Sequence, residues 1–362
     1  MAKPDSTSWE IEPHTRAKHD ILRRYLGAWF PILGSGNKRV VYIDGFCGPG
    51  RYQGGEDGSP IIALKEALSH RERLGGNELV FLFLDEREDR INQLKGEINQ
   101  LNLPPNFKVF PLCGKFEELE KMLDNLESKG KRLAPTFVFI DPFGFSGLPF
   151  RLVQRFLKNE KTEVFVNVMI SAVNRFLDHP TDSVRKRIVE LYGTNDVLNI
   201  ARTSQNRDRD LRLLYQRQLK ESARFVRYFE MRDRRNQLIY CLFFASNHPL
   251  GHSKMKEAFW KVDRQTGFCF SDATDPNQLV LFAQGDISPL VSDLSGKFSR
   301  KTVLVQEIEE YVANETAFTK KHMRAALKQL ENQGLIDVKD TTANGKRRRK
   351  GTFPPETIVS FK

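Results

Sequence analysis

The stretch VVYIDGFCGPGRYQGGEDGSP, Val40–Pro60, decides how the chain is read. An apolar run ends in an acid, Asp44, and glycines follow at positions 45, 48, 50, 54, 55 and 58. The run reads as a buried strand. Ser59-Pro60 reads as a helix start, a capping residue with proline at the first helical position. Glycines between a strand and a helix let the backbone turn sharply and approach a ligand with no Cβ in the way. The same loop also suits a tight structural turn, so its meaning depends on its neighbours.

Outward from this loop the pattern repeats. ELVFLFLDE, NFKVFPLCG, PTFVFIDPFG and TEVFVNVMI read as four more strands, and all but the last lead into an amphipathic helix. Their apolar residues run continuously rather than alternating with polar ones. Strands buried on both faces look like this, so a parallel, doubly wound α/β sheet is expected. A polar, mainly helical insertion follows over about 171–224, and RFVRYFEMRDRRNQLIYCLFFASN reads as a hairpin around a charged turn. Five βα units closed by a hairpin outline a Rossmann-like class I methyltransferase sheet. Ahead of it, Ile21, Leu22, Tyr25, Leu26, Trp29 and Ile32 share one helical face. On that helix, Lys18–Asp20 either faces solvent or lids the ligand crevice. PLGHSKMKEAFWKVD reads as a further helix and Ser292–Lys301 as a linker. Helices and a basic hairpin beyond it suggest a winged helix, with Met323, Ala326, Leu327 and Leu330 as its core-facing stripe. The expected domains are 1–290, methyltransferase-like, and 300–362, winged-helix-like.

The totals narrow the class. The chain has 362 residues, 40% of them hydrophobic, with no apolar run long enough to span a membrane. The opening residues lack the apolar core of a secretory signal, so a cytoplasmic location is expected. The four cysteines are scattered, without a Cys-x-x-Cys pair, which argues against a zinc ribbon or an iron–sulfur cluster. His248 and His252 are four apart, but Pro249 and Gly251 between them favour a turn and helix start over a metal site. The net charge of +11 and pI near 9.4 point to a polyanionic partner, DNA or RNA. Cations gather in 206–235, where acids accompany them, and in the unbroken run Lys346, Arg347, Arg348, Arg349 and Lys350.

Site chemistry is read at the strand ends. In class I methyltransferases, which this outline resembles, an acid placed like Asp44 ahead of Gly45, Gly48 and Gly50 orients the ligand's amino-acid ammonium, sometimes through water. S-adenosylmethionine has that ammonium and NAD does not. The spacing is also not the dinucleotide G-x-G-x-x-G, and the terminal hairpin argues further against an oxidoreductase. Asp85, at the second strand end, suits two ribose hydroxyls and equally a helix cap. By the same resemblance, Cys113 and Phe116 fall where the loop after the third strand of such methyltransferases flanks the adenine. Asp141-Pro142-Phe143-Gly144 ends the fourth strand. There the Asp141 oxygen and the Pro142 carbonyl can accept hydrogen bonds from an exocyclic amine, while Phe143 or Phe145 stacks a base, worth roughly 1–3 kcal/mol. Pro142 and Gly144 equally suit a shaped loop.

Asp-Pro-Phe-Gly resembles the motif of tRNA guanosine N2-methyltransferases, with Phe143 where amino-methyltransferases generally carry a second proline. On a longer scale, PHTRAKHDILRRYLGAWFPIL, YIDGFCGPGRYQGGEDGSP, FIDPFGFSG and LFFASNHPLGHSKMKEAFWKVD resemble the three-Cys-motif partner proteins, from about His14 to Asp263. That resemblance implies a methyltransferase-like domain and a link to a metal-cluster-type protein bearing the cysteine motif, which this chain lacks. It supplies no substrate. Two readings follow: an S-adenosylmethionine-dependent methyltransferase acting on a base amine, or a nucleic-acid-binding adaptor with a degenerate methyltransferase fold.

Overall fold

The structure, a computed structural model, describes residues 6–273 and 285–362. Residues 1–5, part of the opening read against a secretory signal, lie outside the described residues. The first elements are α1 (Pro13–Gly34), β1 (Arg39–Asp44), α2 (Ser59–Ser69), α3 (Arg71–Leu74), β2 (Glu78–Asp85), α4 (Glu88–Asn99) and β3 (Phe107–Cys113). Then come α5 (Leu119–Ser128), β4 (Thr136–Ile140), α6 (Phe150–Leu157) and β5 (Thr162–Val168). Four helices follow: α7 (Ile170–Phe176), α8 (Asp182–Tyr192), α9 (Asp196–Thr203) and α10 (Arg207–Lys220). The sheet is completed by β6 (Phe225–Arg232), β7 (Leu238–Ser246) and, after α11 (Pro249–Val262), β8 (Cys269–Ser271).

The sheet order is β3-β2-β1-β4-β5-β7-β6-β8. β1 pairs in parallel with β2 and β4, β2 with β3, and β4 with β5. β7 runs antiparallel between β5 and β6. This is a Rossmann-like class I methyltransferase sheet. Burial follows position: β4 and β5 are buried at every residue, while β3, at the edge, is mostly open. β8 adds in parallel to β6. Its three residues are too few to show a strand period in the sequence.

Helix α10 reads as charged, yet Leu211, Leu214, Tyr215 and Leu219 are buried along it. Tyr215 meets Phe243 of β7 with ring centres 4.9 Å apart. On the other side, the buried Glu163 of β5 accepts hydrogen bonds from Tyr25 of α1 at 2.5 Å and Ser246 at 2.9 Å. Gly251 opens room for that carboxylate: a Cβ there would lie 1.8 Å from Glu163 Oε1. His252 stacks on Phe225 at 5.2 Å. The S-N-H-P-L-G-H stretch is thus packing and a helix start.

The described residues form two compact units, one reaching Ala258 and including 269–273, the other comprising 259–268 and 285–362. The second contains α12 (Ser288–Lys297), β9 (Thr302–Leu304), α13 (Val305–Glu315), α14 (Lys320–Asn332), β10 (Ile336–Val338) and β11 (Ile358–Phe361). Its three-stranded sheet has the order β10-β11-β9, both pairs antiparallel. This is a winged helix. The stretch read as a linker is largely the helix α12. Leu290 and Leu294, one turn apart, enter the same core as Ile308, Val312 and the stripe Met323, Ala326, Leu327 and Leu330. Serines and a glycine on the outer face of α12 hid that stripe.

Candidate functional site

The strand order reverses between β1 and β4, and in open α/β sheets the ligand crevice lies at such a point, at the carboxyl ends of the strands. Asp44 ends β1 and Asp141 directly follows β4. Asp44 is fully buried. Its Oδ1 accepts the Phe46 N–H at 3.3 Å, and its Oδ2 has no hydrogen-bond partner among the described residues. Burial pushes its pKa up to about 7, against the pull of the Ser59 hydroxyl and the Phe46 N–H. Gly58, rather than Ser59, takes the helix-cap position, with no side-chain cap bond.

The glycines have specific reasons. Gly48 and Gly50 hold φ of +61° and +82°, the left-handed region. A Cβ on Gly50 would lie 2.6 Å from Leu94, and one on Gly45 2.3 Å from Phe116. Phe116 is consequently buried beneath Gly45, stacked near Phe46 at 5.7 Å. Cys113 is exposed, its Sγ 3.7 Å from the Glu86 carbonyl.

Asp85 is also engaged. Its Oδ1 accepts the Arg87 N–H at 2.9 Å, and its Oδ2 accepts the Gly48 N–H at 3.2 Å and lies 3.6 Å from Arg90. It ties the end of β2 to the glycine loop and leads into α4.

Asp141 accepts from Asn167 of β5 at 2.7 Å and pairs with Lys18 of α1. Lys18 is buried, so of its two readings the lid is the one the structure supports. Pro142 is buried, Phe143 is exposed, and Phe145 packs on Phe176 at 5.6 Å. Gly48, Gly50, Asp141 and Phe143 share a cavity of about 30 Å³ with Trp9, His19 and Tyr52. That is room for a water or two. Asp44, Gly45, Asp85, Cys113, Phe116, Pro142 and Phe145 do not line it.

Trp9, Arg90 and Asn167 do not stand out in the sequence as site residues, and Lys18 and His19 do so only within the stretch that either faces solvent or lids the crevice. His19 is buried, its Nδ1 lacks a hydrogen-bond partner, and burial and neighbouring Lys18 lower its pKa to about 3. A Lys-His pair on an otherwise apolar face is the one available signal. Nothing local marks Trp9 or Asn167. The buried, unpartnered Asp44 oxygen and the bare, left-handed loop fit a cofactor with an ammonium group, provided the crevice widens.

In the winged helix, Lys346, Arg347, Arg349 and Lys350 are exposed. Arg348 departs from the expected solvent-facing run of five. It is buried, pairs with Glu331 at 2.7 Å, and donates to the Thr352 carbonyl at 3.1 Å. A guanidinium can satisfy several acceptors at once, so it staples the wing to α14. On α14, Lys321, Arg324 and Lys328 are exposed at helical spacing. Lys328 Cε would lie 3.9 Å from a Cβ on Gly351, at the foot of the wing. Lys328 thus lies at the foot of the wing that carries the four exposed cations. Among the described residues no helix is long and apolar enough to cross a membrane.

Residues 269–343 match the profile of the GMT-like wHTH domain family. No curated protein matches the chain. Solved structures similar to it include an O-methyltransferase from Bacillus cereus in complex with SAH, at 15% identity and TM-score 0.35, covering 66% of this chain and 82% of that one. A human methyltransferase 10 domain containing protein shares 13% identity at TM-score 0.29, covering 63% and 82%. Likenesses of this size carry no argument about activity; the fold rests on its own strand order.

Proposed function

We propose that the chain is an S-adenosylmethionine-dependent methyltransferase that acts on an exocyclic amine of a nucleic-acid base. The observation that carries this reading is the pair of carboxylates ending adjacent strands at the switch point, one with a buried oxygen left without a partner. When bound, S-adenosylmethionine supplies an electrophilic methyl group. Asp44 receives the ammonium of its methionine part. Gly45, Gly48 and Gly50 let the backbone come close. Asp85 keeps its remaining lone pairs for the ribose hydroxyls while holding the loop, and Cys113 lies at the adenine rim.

Asp141 and the Pro142 carbonyl accept hydrogen bonds from the acceptor amine, and Phe143 stacks its base. Asn167 fixes the Asp141 carboxylate, so that group is positioned before substrate arrives. Such a site works by alignment rather than by a strong base. Lys321, Arg324, Lys328 and the four exposed wing cations draw in the polyanion.

A second reading is a nucleic-acid-binding adaptor serving a three-Cys-motif protein. The narrow cavity favours it. Incubation with methyl-labelled S-adenosylmethionine and separate DNA and RNA pools distinguishes the two. Label in base amines, lost in Asp141→Ala although the cofactor still binds, supports the enzyme. Cofactor binding with no transfer to either pool supports the adaptor.

A further inference from the structure

The segment ahead of α1 lies across the crevice. Thr7 Oγ1 donates to Asp89 at 2.6 Å, and the Trp9 carbonyl accepts the Gln53 N–H at 3.0 Å. The Trp9 indole is half-buried. The Arg90 guanidinium lies 4.9 Å from its ring centre. Tyr52 and Phe143 meet it edge-on, with ring centres 5.7 and 5.3 Å away. The Gly48 backbone closes the slot, a Cβ there falling 3.8 Å from the ring. A cation over a flat ring with aromatic edges around it is chemistry that serves a purine as well as an indole. A little further on, the Lys18 ammonium rests on Asp141.

We propose that residues 7–18 are a built-in plug: Trp9 fills the slot between the glycine loop and Phe143 that a ligand ring would enter, and Lys18 stands in for the acceptor amine on Asp141. This rests on the reading of the crevice given above and adds its regulation. The narrow cavity is then the plugged state of a site that opens when Trp9 withdraws. Both surrogates belong to one segment, so release of one loosens the other. Ligand and plug compete for the same groups, and the observed affinity is the intrinsic one reduced by the open fraction.

The test uses the full chain and S-adenosylhomocysteine as probe. Trp9→Ala should bind it on the order of tenfold tighter than wild type, for a plug open about a tenth of the time. Trp9→Phe, which keeps a ring in the slot, should stay close to wild type. Chymotryptic cleavage after Trp9 reads the same event without a variant: the probe should speed it in wild type, and Lys18→Ala should speed it with no probe. Equal affinities in wild type and Trp9→Ala, with cleavage indifferent to the probe, would overturn the plug and leave the methyltransferase reading standing. Absence of binding in both proteins would overturn that reading and the plug with it.

Discussion

Asp44 carries the residue-scale argument. Its pKa is raised to about 7 from an ordinary 3.8 because burial disfavours the charged form. The folded chain therefore holds this proton more tightly than the unfolded chain. Its contribution to stability is fully present at low pH and is lost as pH rises from about 4 to about 7, at about 1.4 kcal/mol for each pH unit crossed. Asp44→Asn does not titrate, so its stability relative to wild type should increase from pH 5 to pH 8 in urea melts. A constant difference would place the titration elsewhere. An ammonium ligand favours the charged carboxylate, so cofactor affinity should fall as pH drops below about 7. At this scale the acids are legible in the sequence, because an apolar run ending in Asp marks a strand end. Lys18 on Asp141 is not, because the two are 123 residues apart and only the folded sheet joins them.

Elements show where composition misleads. α12 reads as a linker because its polar face carries Ser and Gly, while two leucines one turn apart do the packing. The basic turn reads as uniform, yet Arg348 faces inward. Arg348→Ala leaves Glu331 partly buried without this partner, and losing one member of a buried pair costs about 3–5 kcal/mol. Urea unfolding of the winged helix should show it. Replacing the exposed Lys346, Arg347, Arg349 and Lys350 by Ser should leave stability nearly unchanged. It should also flatten log K against log salt by roughly 0.9 for each duplex phosphate no longer neutralised, or about 0.7 for single strands. Identical slopes in filter binding would mean that the wing does not touch phosphate. In the first unit, Gly251→Ala would drive a methyl into the Glu163 carboxylate held by Tyr25 and Ser246. Overpacking of this kind costs about 1–3 kcal/mol, and a lowered melting midpoint is the readout.

For the whole molecule, five βα units and a closing hairpin are enough to imply the sheet, since parallel strands buried on both faces read as unbroken apolar runs. The crevice position follows from that sheet. Its width does not, because it depends on a segment that shows no periodicity. The central claim is that this crevice takes S-adenosylmethionine against Asp44. Calorimetric titration of the full chain at pH 8, wild type beside Asp44→Ala, tests it most directly. The account predicts saturable one-site binding in wild type and a marked loss in the variant. Unchanged affinity in Asp44→Ala, or no saturable heat in wild type, would contradict it.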